Sequence, residues 1–440
     1  MNRNEDPYRP VVHWFSPLPP AATDIANYTA RVLPFLAKVA RVVLWTDAHQ
    51  WDTVLERYAI VRNYSAKTLT VRALSNAAQA AGAPKGVPQA NFFHIGNNWK
   101  FHWEPLCAVR RCPGIVVLHD VSFQYLLNDA ILHHDLSLDQ YLEMIRSWYG
   151  DDGCHRAKTA IENQTVTELH ADIAGFELVV GSAHSVLTHG PFATRIFNER
   201  LPIPVNRLEL PFSAGEEPYL ERPRHGPLRL LQFGYLGTSR RVIEILEALA
   251  ELRECIEFRF DIFGKIDPSF AFSIRQKTVE TGLEERVRIR GFVPEQVLDA
   301  ELRQAHLVFN LHVPSMSAAS SSQLRIWKAG AASAATNVGW RSSLPKDTVF
   351  HVPAEPQQEK EAIQSIVRRL WADRSVSQSH QRAGRRRLIE QHHPRDYAQG
   401  IAELTKKSAG YAAKLILGEA FKRGIGINTE LDRLQVNYRP

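Results

Sequence analysis

The sequence predicts an α/β protein built of two parallel-sheet domains, and three observations carry that expectation. Short apolar runs with strand character alternate with segments of helical spacing along most of the chain. Some of these runs, such as GIVVL at 114–118, are apolar throughout, as strands covered on both faces should be. A proline-rich stretch without periodicity, residues 202–227, divides the alternation into two series. A length of 440 residues fits that division, because single cores stop growing at roughly 250–300 residues. The expected organisation is an N-terminal domain over 1–205, a linker over 206–227, a second domain over 228–395, and C-terminal helices over 396–440 that pack back towards the first domain.

Composition narrows the function classes. Hydrophobic residues make up 44% and charged residues 23%, which is ordinary for a globular chain. The four cysteines form no C-x-x-C pair and read as reduced thiols of a cytoplasmic protein. No uncharged run is long enough to span a membrane, and MNRNEDPYRP lacks the apolar core of a signal peptide. The net charge of +6 suits anionic substrates or an anionic membrane surface. Nucleic acid is not expected, since the basic residues lack interleaved aromatics and any known module.

In the first series, Val11 to Phe15 is a strand candidate, and the stiff turn SPLPPAATD (16–24) sits at its C-terminal end, where such sheets bind ligands. Ile25 to Ala40 has helical spacing, with Ile25, Tyr28, Val32, Phe35 and Leu36 repeating, and Arg41 to Trp45 is the next strand. Further strands are expected at Asn91–Gly96, followed by Asn97 and Asn98, at Gly114–Leu118, followed by His119 and Asp120, and at Leu178–Gly181, followed by a helix start at Ser182. His119 has two readings here: a side chain pointing into a cleft, or a cap on the next helix. Residues 123–175 are expected to be helical. Their histidines His133, His134 and His155 are read as solvated, because neighbours on a helix diverge.

In the second series, strands are expected at Leu228–Phe233, at Phe258–Phe263 ending in Gly264, at Val287–Gly291 before Phe292, at Leu307–Leu311 and at Val349–Val352. A helix is expected over Arg240–Leu252, with Ile243, Leu246, Leu249 and Leu252 on one face. Residues 358–391 read as a basic helical stretch that is either solvated or resting on anionic lipid. Two amphipathic helices, Asp396–Ser408 and Ala412–Arg423, are expected to follow.

The most informative stretch is Ala305 to Pro345. A short strand leads through Pro314 into Ser317, Ser320, Ser321 and Ser322, and then into a helix at Gln323–Ala329. Small side chains let backbone N–H groups approach a ligand, and the start of a helix is partly positive, so the segment suits a phosphate. Serine is also a good N-cap, so an ordinary capped strand–helix unit fits the same residues.

Six pieces of the chain, in order, resemble the GT-B fold glycosyltransferases of the large retaining family 4. They are Ser16–Pro20 with Ile25–Thr29, Phe93–Asn98, Val116–Asp120, Phe233–Leu236 with Arg240 and Arg241, Val287–Phe292, and Pro314–Trp340. The resemblance implies two Rossmann-like domains facing each other across a cleft. It implies sugar transfer from a nucleotide-sugar donor to a glycan or lipid-linked acceptor in polysaccharide biosynthesis, with no cofactor and no metal. His119 and Arg240 would serve the reacting centre. Donor contacts would fall at Arg240, Arg241, Gly264, Phe292, Ser317, Ala318, Ser320, Ser321 and Ser322. Acceptor-side contacts would fall at Thr23, Asp24, Asn97, Asn98 and Asp120. A guanidinium can hold phosphate oxygens in a bidentate way, which agrees with Arg240 in that role.

The chain departs from the family's pattern where the donor is read. Ala318 stands where a glutamate would bind donor-sugar hydroxyls, Arg325 stands near the place of a second glutamate, and Asp24 replaces a glycine. Two functions therefore stay open: an active retaining transferase with an altered sugar pocket, or a catalytically degenerate GT-B protein acting as scaffold or regulatory partner of another transferase.

Overall fold

The computed structural model describes residues 8–215, 222–315 and 318–422. They form two compact units. The first takes in residues 8–211, Ala318 and the helix Pro394–Lys422; the second takes in 212–315 and 319–393.

The first unit is a seven-stranded sheet of β1 (Val11–Phe15), β2 (Arg41–Thr46), β3 (Ile60–Asn63), β4 (Gln89–Ile95), β5 (Ile115–Leu118), β6 (Ser185–Thr188) and β7 (Val205–Arg207). Its order is β3-β2-β1-β4-β5-β6-β7, and every pairing is parallel. Strands β1 and β5 are buried at every position; β5 is apolar throughout, as burial on both faces requires, while β1 carries the buried His13. The helix Asp24–Val39 returns the chain from β1 to β2, with Ala26, Val32, Leu33 and Leu36 buried.

The second unit holds β8 (Leu228–Leu236), β9 (Phe258–Ile266), β10 (Val287–Gly291), β11 (Leu307–Asn310), β12 (Ala332–Thr336) and β13 (Phe350–Val352). This sheet is also parallel, in the order β10-β9-β8-β11-β12-β13. In each sheet the order reverses direction once, between β1 and β4 and between β8 and β11. Chains leaving neighbouring strands part at such a point and open a crevice at the strands' C-terminal ends.

Several expectations are corrected. LVVG (178–181) is not a strand: it closes the short helix Phe176–Val180, bracketed by Gly175 and Gly181, both at positive φ. A short buried apolar run has no periodicity that separates helix from strand. The strand is SVLT at 185–188, where a helix start was expected; its hydroxyl residues Ser185 and Thr188 are buried and hid it from a hydropathy reading. The basic stretch 358–391 is two helices, Pro356–Ala372 and Val376–Gln391. The C-terminal pair is one continuous helix, Pro394–Lys422, because a lone glycine in a helix costs only about 1 kcal/mol and need not break it. Gly400 has a packing reason as well, since a Cβ there would sit 2.5 Å from Leu208 Cδ2. The helix expected from Arg240 begins at Val242, and Arg240 lies in the preceding 3-10 turn Thr238–Arg240.

Candidate functional site

In the second unit the crevice between β8 and β11 gathers the positive charge. Arg240 follows β8, and its guanidinium is folded back into the protein, only 8% exposed. Nη2 donates to the Phe233 carbonyl at 2.9 Å, while Nε is buried without a partner. The Arg240 carbonyl accepts from Gln232 Nε2 at 2.5 Å, which pins the turn to the strand.

Arg341 comes in from the far side, in the 3-10 turn Gly339–Ser343 after β12, and is 2% exposed. Its Nη1 donates to Ser315 Oγ at 3.2 Å. Its Nη2 donates to Ser320 Oγ at 3.3 Å and Asn310 Oδ1 at 3.4 Å. Its Nε, like that of Arg240, is buried and unpartnered. Neither guanidinium makes an ion pair among the described residues. Burial pulls Arg240 down to about 10 and, with the neighbouring charge of Arg240, pulls Arg341 down to about 9. His312, two residues beyond β11, is driven down to about 2, by burial first and then by the charge of both arginines. At neutral pH the site therefore holds two cations, a neutral imidazole and no carboxylate, a combination that favours an anion.

Ser320 caps the helix Ser321–Lys328, its hydroxyl accepting from the Gln323 N–H at 3.3 Å. The capped-unit reading of the serine stretch therefore holds, alongside the guanidinium contact at the same hydroxyl. Ser321 and Ser322 form the first turn of this helix. Ser317 lies outside the described residues. Arg325 pairs with Asp299 at 2.6 Å and with Glu295 at 3.2 Å.

Other expected donor residues have structural duties. Arg241, expected at the donor, bridges the buried Glu359 at 2.6 Å and Glu244 at 2.6 Å, and so ties its helix to Pro356–Ala372. Gly264 pairs with Gly234 across β8 and β9, and its missing Cβ is the condition of that pairing: the atom would overlap the Gly234 carbonyl. Phe292 is 82% exposed after β10, and Tyr235, with the Lys265 ammonium 5.7 Å from its ring centre, is 74% exposed beyond Gly234.

In the first unit, the ends of β4, β5 and β6 bring His94, His119 and His189 together. His94 Nδ1 and His119 Nε2 share a hydrogen bond of 3.1 Å, and the His119 and His189 ring centres lie 4.9 Å apart. The next helix starts at Gln124, so His119 does not cap it. Burial, then His189 and His94, hold His119 well below its ordinary value, so the imidazole is neutral. Asp120 accepts the Asn97 N–H at 2.8 Å, and burial raises its carboxyl to about 6. Asn97 Oδ1 in turn accepts from the Leu126 N–H at 2.9 Å. Asn98 takes the N-cap position of Trp99–Arg111 without a side-chain bond. Thr23 caps Asp24–Val39 by accepting from the Ile25 N–H at 3.4 Å, and Asp24 pairs with Arg31 at 3.5 Å. Ala318 is fully buried, and its N–H donates to the His119 carbonyl at 3.0 Å.

Sequence reading missed Arg341, His312, His94 and His189 as site residues. A positional signal was available: His312 and His189 lie within two residues of a strand's C-terminal end. His189 was hidden because β6 was assigned to the wrong residues.

The buried histidines make a pH prediction. His13 and His102 are each lowered to about 4 by burial, so they stay neutral in the fold and charge only on unfolding. Their contribution is intact above pH 6.5 and is lost as pH falls towards 4, by about 2 kcal/mol per histidine at pH 5. Urea unfolding at pH 7 and pH 5 should show the midpoint falling, and His102→Gln should flatten the dependence.

No protein-family model matches the chain, and no curated protein matches it in sequence. Solved structures match along nearly its whole length. The chain is similar to sucrose-phosphate synthase from Thermosynechococcus elongatus, with 14% identity and a TM-score of 0.58 over 91% of this chain and 98% of that one. It is similar to a glycosyltransferase from Rickettsia africae ESF-5, with 11% identity and a TM-score of 0.61 over 91% and 98%. It is also similar to HepE from Anabaena, solved with UDP and glucose, with 14% identity and a TM-score of 0.52 over 91% and 100%. At these identities the likeness is one of fold. Two parallel-sheet α/β units with flanking helices give the chain the GT-B fold of glycosyltransferases. No helix among the described residues is long and apolar enough to cross a membrane.

Proposed function

We propose that the protein is a retaining glycosyltransferase that moves a sugar from a nucleotide-sugar donor to a glycan or lipid-linked acceptor. The observation that carries this reading is Arg240: a buried guanidinium without a carboxylate, at the reversal point of the second sheet, in a fold shared with a structure solved with UDP and glucose. As the donor bond breaks, negative charge grows on the departing diphosphate. A preorganised cation in a dry site stabilises that charge more in the transition state than in the ground state. The start of Ser321–Lys328, capped by Ser320, adds partial positive charge without a metal. In the first unit, His119 is held neutral beside His94, so it can make a hydrogen bond without bringing a charge.

Calorimetric titration with UDP and GDP, followed by incubation with a panel of nucleotide sugars and glycan acceptors, tests the reading. Diphosphate binding with transfer or donor hydrolysis is expected; absence of both rejects it. The second reading, a scaffold that has lost transfer, draws on Ala318 and on Arg241 being held by Glu359. It predicts no turnover with any donor, and none restored by Ala318→Glu. On Val376–Gln391, exposed Arg382 and Arg386 flank the half-exposed Ile389, a face suited to an anionic membrane surface. Co-sedimentation with phosphatidylserine vesicles, lost on Arg382→Glu with Arg386→Glu, checks that attachment.

A further inference from the structure

Beside β13, the edge strand of the second sheet, lies a cleft of about 760 Å³, two strands out from the crevice between β8 and β11. Pockets that take small ligands run to roughly 300–1,000 Å³, so the cleft has room for one. Leu344, Val349 and Ile366 line it and are buried. The charged groups on its lining are both cations: Lys346, from the loop before β13, and Arg369, from the helix Pro356–Ala372. Neither makes an ion pair among the described residues, and no carboxylate among those residues lines the cleft. The Arg369 guanidinium lies 5.8 Å from the centre of the Phe350 ring, and His380 stacks on that ring at 3.9 Å. Burial lowers His380, and its ring also feels the carbonyls of Val376 and Lys346, then the charge of Arg369 and last that of Asp347. Lys346 and Arg369 therefore converge at the His380 end of the cleft, while Asp347 is exposed and off the lining.

The uncharged polar groups narrow the ligand further. His351 Nε2 donates to the Leu344 carbonyl at 3.0 Å, which leaves Nδ1 as an acceptor, and Nδ1 is buried without a partner. The side chains of Asn337 and Ser365, also on the lining, make no hydrogen bond among the described residues. Hydroxyl groups on a ligand would satisfy all three. The loop is already braced to receive one: Ser342 Oγ donates to the Gly339 carbonyl at 2.7 Å and Thr348 Oγ1 to the Pro345 carbonyl at 2.8 Å, so little ordering is left to cost affinity. Phe350 is buried and its ring is stacked on His380, which leaves no platform for a nucleobase. We propose that this cleft is a second binding site, for a small organic phosphate that carries hydroxyl groups, with the phosphate at Lys346 and Arg369 and the hydroxyls at His351, Asn337 and Ser365. The proposal stands apart from the transfer reading.

The test is calorimetry on the full chain with glucose 6-phosphate and glycerol 3-phosphate, and with glucose and inorganic phosphate as the separated halves. At least one ester should bind about tenfold or more tighter than inorganic phosphate, and glucose alone should not bind. Arg369→Gln and Lys346→Gln should each weaken that ester by about fivefold or more. Both residues are exposed, so these variants should keep the wild-type unfolding midpoint. Arg368→Gln is the control: Arg368 shares the helix, but its guanidinium turns to Cys255 Sγ at 3.7 Å and is off the lining, so binding should match wild type. Saturating UDP should leave the ester's affinity unchanged, since the cleft is separate from the crevice. The proposal is overturned if neither ester binds, if inorganic phosphate binds as tightly as the esters, or if neither lining variant weakens binding. It is overturned equally if Arg368→Gln weakens binding as much as Arg369→Gln does, or if UDP displaces the ester. Each of these results leaves the transfer reading standing.

Discussion

Arg240→Ala is expected to weaken nucleoside diphosphate binding by about 1.5–3 kcal/mol, or roughly 10- to 150-fold, the range for a hydrogen bond to a charged group. The fold should tolerate the change better than most buried truncations. The side chain makes one bond to the Phe233 carbonyl, and its Nε has no partner. Removing an uncompensated buried charge relieves a penalty while it opens space. Calorimetry beside thermal unfolding separates the two effects: lost affinity with a nearly unchanged midpoint is the expected pair. An unchanged nucleotide affinity would remove Arg240 from the phosphate role. A second signature is pH. Burial lowers Arg240 to about 10 and, with the charge of Arg240 beside it, Arg341 to about 9, and an anion needs both protonated. Affinity in wild-type protein should therefore hold up to about pH 8 and fall as pH rises through 9 and 10.

Gly264→Ala should have the largest effect on stability, a loss of about 3–5 kcal/mol, at the upper end of single substitutions. Gly264 has a φ of +128°, which only glycine adopts readily. It also lies against the Gly234 backbone, and that backbone is held by the parallel pairing of β8 with β9 on both sides of the contact. No side chain can swing away to make room. Gly234→Ala provides the contrast: the φ of +123° is as unfavourable, but the added methyl meets the Arg240 guanidinium at 3.1 Å, and that side chain can shift. The Gly234 variant should lose less stability and more nucleotide affinity. Chemical denaturation followed through the second unit measures both, and equal losses would show that φ strain alone decides them.

Where one physical signal dominated, the sequence was readable. Uninterrupted apolar strands such as β5 and the strand–loop–helix stretch after β11 were legible because burial on two faces demands apolar residues. The two-domain α/β class followed from their alternation, and the GT-B fold was implied by the resemblance of six pieces of the sequence. Legibility failed where burial came with polar atoms. β6 carries Ser185 and Thr188, so a neighbouring helix with the more apolar sequence LVVG took its place. The same limit applies to the site. Arg240 was found from its place after a glycine and a strand, and Arg241 beside it looked equivalent. Only the partner Glu359, far along the chain, separates a structural arginine from one facing a crevice. Arg341 was unreadable for a related reason: its importance lies in the absence of a carboxylate around it, and an absence in space leaves no motif.

The helix Pro394–Lys422 has a consequence for how the protein is made. Its Tyr397 hydroxyl bonds that of Tyr28, 369 residues earlier, and its Ile401 and Ala398 are fully buried in the first unit. Ser408 Oγ reaches the Gln89 carbonyl at 3.2 Å. During synthesis the surface around Tyr28 therefore waits for a piece of chain that follows the entire second unit. At about 5–20 residues per second, the stretch from Pro211, where the first unit's continuous part ends, to Tyr397 takes about 10 to 40 s. Through that interval the nascent first unit presents to the cell an apolar face that the finished protein keeps covered.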